Sequence, residues 1–152
     1  MYSDAKVARF VDEHFIPVRV HVRQQAEEFK RLGARFNAQW TPTVLLIDEG
    51  GEERYRIEGF LPVDDFLAQL ESGLGRAAFA RSDFADAERW FRAVVDEHPK
   101  TDAAPEALYW TGVARYKATG DASALADTYN QFQTRYKDTS WATKASVWVP
   151  RP

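Results

Sequence analysis

The chain has 152 residues, 45% hydrophobic, 14% aromatic and 28% charged, enough for one domain or two small modules with a real core. Net charge is −3, with both signs mixed along the chain, which gives no electrostatic footprint for nucleic acid. No apolar run approaches the roughly 18 residues of a membrane span. The first residues, MYSDAKVARF, lack the charged-then-apolar layout of a signal peptide, so the expected location is cytoplasmic.

Cysteine is absent. Disulfides, thiolate metal sites and a cysteine nucleophile are therefore excluded in this chain. His14, His21 and His98 share no ligand spacing, and no phosphate-cradling glycine motif or nucleophile elbow occurs, so neither metal nor cofactor is expected. The acidic turn Asp48 to Glu53 lacks the length and spacing of a calcium loop. Asp64-Asp65 suits a helix first turn rather than an acid–base pair.

In chain order, Asp4 opens a helical pattern through Val7, Phe10, Val11 and His14. In 15-FIPVRVHVR-23, Val18, Val20 and Val22 alternate with charged or polar residues, which predicts a strand with one buried face. Ala26, Phe29, Leu32 and Phe36 give one face of the next helix. TVLLID then lacks alternation, which predicts a central strand covered on both faces. Gly50-Gly51 makes a turn into 54-RYRIEGF-60, an outer antiparallel strand with Tyr55 and Ile57 inward. Pro62 begins a helix whose apolar face holds Phe66, Leu67 and Leu70.

This order, with Thr41-Pro42-Thr43 before an apolar strand, then Gly-Gly, then a strand ending in Glu58-Gly59-Phe60 and a final helix, resembles the thioredoxin family over about residues 1–72. In that family the proline is cis and faces the redox pair. The resemblance implies a site at Trp40, Thr41 and Pro42 and carries over no catalytic residue. The family's CxxC pair lies upstream of the part matched by Met1-Tyr2-Ser3-Asp4. Thiol–disulfide exchange needs an attacking thiolate, and this chain has none.

From about Ser72 the pattern is all helical. Segments 74–100 and 109–138 correspond, with Gly75 matching Gly112, Phe79 matching Tyr116 and Ala87 matching Ala124 at a spacing of 37, and Phe91 matching Tyr129 at 38. The aromatic, glycine and alanine order resembles the tetratricopeptide repeat. Ser140 to Trp148 reads as a closing helix. The expected fold class is thus α/β plus all-α: a truncated thioredoxin-like βαββα module over 1–72, then repeat-like helices over 73–152.

By that second resemblance, a concave peptide-binding face would present Arg76, Phe79, Glu106, Tyr109, Tyr116 and Lys117. The expected function is a non-catalytic adaptor that binds a protein or peptide, without nucleic acid or membrane. The alternative is a truncated thiol–disulfide oxidoreductase whose CxxC lies upstream. The family strand missing between FIPVRVHV and TVLLID leaves unpaired backbone groups. Either those two segments pair directly, or a second copy covers the gap. The second outcome is expected: a homodimer with the sheet edge or the first helix in its interface.

Overall fold

A computed structural model describes residues 2–150. The chain divides into two compact units at Leu67/Ala68, and one helix supplies residues to both.

In the first unit, α1 (Ala5–His14) starts where the Asp4 carboxylate accepts the Lys6 amide at 2.9 Å. Val7 is its buried residue. Helix α2 (Ala26–Phe36) turns Phe29, Leu32 and Phe36 to a half-buried face and buries none of them fully. It ends at Asn37 in the left-handed region, φ 50°. Strands β1 (Thr43–Ile47) and β2 (Glu53–Glu58) form an antiparallel hairpin around Gly50-Gly51, pairing Val44 with Ile57 and Leu46 with Tyr55. These four side chains share one face, and Leu46 and Ile57 are buried. Between Leu46 and Ile47 the register shifts, with Arg54 as the extra residue on β2. The Arg54 guanidinium closes the turn against Asp48 at 2.6 Å.

Two expectations fail in this unit. Residues 18–22 form no strand and do not pair with β1: the sheet has two strands, and Ile16 and Val18 are 95% and 82% exposed. Alternating side chains supply a face to bury, but a strand also needs a neighbour for its backbone. For the same reason TVLLI is not a central strand. It has one hydrogen-bonded neighbour, and Ile47 is 44% exposed.

Helix α3 (Val63–Ala80) follows Pro62, whose carbonyl accepts the Phe66 amide. Phe66 is buried, and Tyr2 meets its ring edge-on at 5.5 Å between centroids.

The second unit continues with α4 (Phe84–Glu97), α5 (Ala103–Thr119), α6 (Ser123–Arg135) and α7 (Ser140–Ala145), then a 3-10 turn, Ser146–Trp148. Pro105 lies in the first turn of α5, whose amides have no intrahelical acceptor to lose. Helix α5 packs on α4 and α6, and α7 closes against α5 and α6. One cluster joins Phe91, Val94, Val95, Leu108 and Phe132 with alanines from α3, α4, α5 and α7.

Glycine sets two of the helix approaches. A Cβ on Gly75 would sit 2.7 Å from the Phe91 ring, and a Cβ on Gly112 would sit 2.8 Å from the Thr128 Cβ. Both contacts repeat at a spacing of 37, and so do the buried pairs Ala87 with Ala124 and Val95 with Phe132. Phe91 is therefore equivalent to Thr128, not to Tyr129. Matching aromatic to aromatic put the sequence alignment one residue out, because the smaller Thr128 occupies the place against Gly112.

Candidate functional site

Two groups of residues stand out from the sequence, one in each unit. In the first, the Thr41–Pro42 peptide bond is cis. Thr41 is exposed, Pro42 is half-buried and Trp40 is 68% exposed. The Thr43 hydroxyl donates to the Trp40 carbonyl at 2.7 Å, and the Pro42 carbonyl accepts the Gly59 amide, which fixes this turn to the start of the hairpin. Trp40 thus stands on an ordered backbone with most of its indole in solvent.

In the second unit, the Arg76 guanidinium donates to the Glu106 carboxylate at 2.6 Å and lies 3.9 Å above the Trp110 ring. Both charged side chains are 29% exposed. Arg76 comes from α3 and Glu106 and Trp110 from α5, where a spacing of four puts the last two on one face. Phe79 meets Trp110 edge-on at 5.4 Å, and Phe84 at 5.1 Å. Tyr109 stacks on Trp148 at 4.5 Å and touches Trp141 at 5.3 Å. Arg76, Phe79, Glu106 and Tyr109 are therefore brought together around Trp110.

Tyr116 and Lys117 lie further along α5, about 9–10 Å beyond Trp110 on its axis. Tyr116 is 38% exposed, and the Lys117 ammonium lies 5.5 Å from the Phe84 ring. The sequence reading missed Trp110, Trp141 and Trp148. Trp110 was discoverable: it falls one turn after Glu106 and beside Tyr109. Trp141 and Trp148 reach Tyr109 only through the path of the closing helix, which periodicity does not give.

The rings of Phe79, Tyr109, Trp110, Trp141 and Trp148 all pack on the helical core and are partly buried. Away from these rings, the buried His98 Nε2 lies 3.7 Å from the buried Glu71 Oε2. The exposed Glu97 brings a third possible ligand atom into that group, all within 4.8 Å. Among the described residues, no helix is long and apolar enough to cross a membrane.

Comparison with known proteins adds one result. Residues 1–74 match a family model described as a thioredoxin-like domain. The first part of the chain is thus a thioredoxin-like domain, and the match ends inside α3. No curated protein and no solved structure matches the chain.

Proposed function

We propose that this chain works by binding protein, as a non-catalytic adaptor that joins a thioredoxin-like domain to tetratricopeptide-like helices. The absence of cysteine from a thioredoxin-like domain carries this reading. Thiol–disulfide exchange proceeds through a thiolate and a mixed disulfide, and no side chain here can form either. What the domain keeps is scaffold, with Trp40 exposed beside Thr41 and Pro42.

The tetratricopeptide-like reading is supported by the 37-residue spacing of the Gly75–Phe91 and Gly112–Thr128 contacts. In the helical unit the binding surface is the Arg76–Glu106 pair with the outer edges of Trp110 and Tyr109. An arginine over an indole, beside further aromatics, has the composition enriched at the hot spots of protein interfaces. The partner is a polypeptide segment that offers an apolar side chain to the rings and a charged group to Arg76 or Glu106.

Two measurements test this reading. Reduction of insulin disulfides by dithiothreitol should run no faster with the chain than without it; clear acceleration overturns the non-catalytic part. Peptides selected from a random displayed library should bind the chain, and Arg76→Ala and Glu106→Ala should each weaken them about tenfold, while both variants keep the helical circular dichroism. Selection that yields no binder, or binders indifferent to both substitutions, overturns the adaptor surface.

A further inference from the structure

Helix α4 ends on carboxylates. Its last turn holds Asp96 and Glu97 and no basic residue, at the end of a helix where the backbone dipole is negative and favours a cation. One guanidinium reaches this end from α6: Arg135 donates to the Val95 carbonyl at 3.1 Å.

His98 follows as the cap and leaves the helix, with φ −125° and ψ 46°. In a continuing helix, neighbouring side chains point about 100° apart. The turn out of α4 instead lets Glu97 and His98 converge. A ligand atom from each, and one from Glu71 on α3, all lie within 4.8 Å of one another. The three residues belong to the second unit. The side chains of Glu71 and His98 are only 7% and 9% exposed, so they form the inner wall of the group. Glu97 is exposed and closes it from outside. The backbone of His98 is fixed: its amide donates to the Val94 carbonyl, and its carbonyl accepts the Thr101 hydroxyl at 2.8 Å.

The His98 Nε2 and the Glu71 Oε2 stand 3.7 Å apart, longer than a hydrogen bond between them would be. The spacing suits two ligands of one ion. Zinc bonds of about 2.0–2.2 Å, opened to about 110–120°, put ligand atoms about 3.3–3.7 Å apart.

We propose that Glu71, Glu97 and His98 bind a divalent transition-metal ion of the zinc type, with water completing its coordination. One imidazole and two carboxylates make a nitrogen–oxygen donor set that suits zinc, whereas magnesium and calcium take oxygen ligands throughout. The ion ties α3 to the end of α4 and offsets the negative charge gathered there. Ligand spacing along the chain hides this set. Glu97 and His98 are adjacent and the third ligand comes from another helix, so comparing the three histidines with one another does not find it.

This inference goes beyond the adaptor reading and does not depend on it. Calorimetric titration of zinc chloride into the untagged full chain should give one ion per chain, with a dissociation constant in the micromolar range or tighter. The melting temperature should rise with zinc and stay unchanged with the same concentration of magnesium. Glu71→Gln and His98→Ala should each weaken zinc binding at least about tenfold. Both alter buried positions, so Glu97→Gln, at an exposed one, is the decisive variant. It should keep the helical circular dichroism and still weaken zinc about tenfold. A chain with His14→Ala and His21→Ala lacks the other two histidines and should bind zinc as the unsubstituted chain does. No binding at millimolar zinc overturns the site. Binding that survives Glu97→Gln and His98→Ala unweakened, or that disappears with His14 and His21, overturns it equally.

Discussion

Residues 68–150 bury Phe91, Val94, Val95, Leu108 and Phe132 in one continuous cluster. Residues 2–67 bury Val7, Leu46, Ile57 and Phe66, and leave Ile16, Val18, Trp40 and Phe60 between 68% and 95% exposed. Both regions have abundant apolar residues, so composition does not explain the contrast. Hydrogen bonding does. A helix satisfies its own backbone and needs only a neighbour for one face. A strand needs a neighbour for its backbone before its side chains can be covered. The helical unit buries its faces among its own helices, whereas among the described residues the first unit holds a two-stranded hairpin.

The largest effect that tests this contrast is a core truncation. Phe91→Ala should cost about 3–5 kcal/mol in urea unfolding followed by helical circular dichroism, because the ring is fully buried and Gly75 already lies against it. Phe29→Ala on the half-buried face of α2 should cost less than half as much. Equal costs would break the comparison, since they would mean a first unit packed as tightly as the second.

Next in size is overpacking. Gly112→Ala should destabilise by about 1–3 kcal/mol, because the new methyl meets the Thr128 side chain. Thr128→Ala in the same chain removes the hydroxyl and the γ-methyl and should recover part of that loss. No recovery would mean that α5 and α6 already have room to separate, and that the second unit is looser than its cluster indicates.

The smallest effect concerns the hairpin. The Glu52 amide holds the Asp48 carboxyl below its ordinary 3.8, with the Arg54 guanidinium and the Gly50 amide adding to it. A depressed folded value means that Asp48 stabilises the hairpin above its unfolded pKa and stops doing so as pH falls through the folded value. Protection factors at β1 and β2, taken against the intrinsic exchange rate at each pH, should therefore fall on acidification below about pH 4, and Asp48→Asn should flatten that dependence. A flat profile in the unsubstituted chain would show that the turn holds without its carboxylate.

Sequence pattern carried the helices well. Their 3.6-residue periodicity states both the element and the buried face, and Asp4 and Pro62 mark starts. It carried β1 and β2 through the Gly-Gly turn and Ile57. It misplaced residues 18–22 because alternation says what a strand could bury and nothing about whether a neighbour exists. Of the candidate site, Arg76, Phe79, Glu106 and Tyr109 came from the resemblance to the tetratricopeptide repeat, and the structure gathers them around Trp110. Trp148 was not, since its stacking on Tyr109 depends on how α7 and the 3-10 turn fold back. Phe91 was aligned by chemistry, while the helices align it by its contact with Gly75, which Thr128 repeats at Gly112.

The placement of the tryptophans gives the two regions separate optical signatures. Trp40 is the sole indole of residues 2–67 and is mostly exposed, so its emission should be red-shifted and quenched by iodide. Trp90, Trp110, Trp141 and Trp148 all belong to the helical unit, where Tyr109 lies within 6 Å of the last three. Coupled rings of this kind give strong near-ultraviolet dichroism that vanishes when their packing loosens. A Trp40→Phe chain therefore reports the helical unit alone, and its difference from the unsubstituted chain isolates one lamp at the turn before β1.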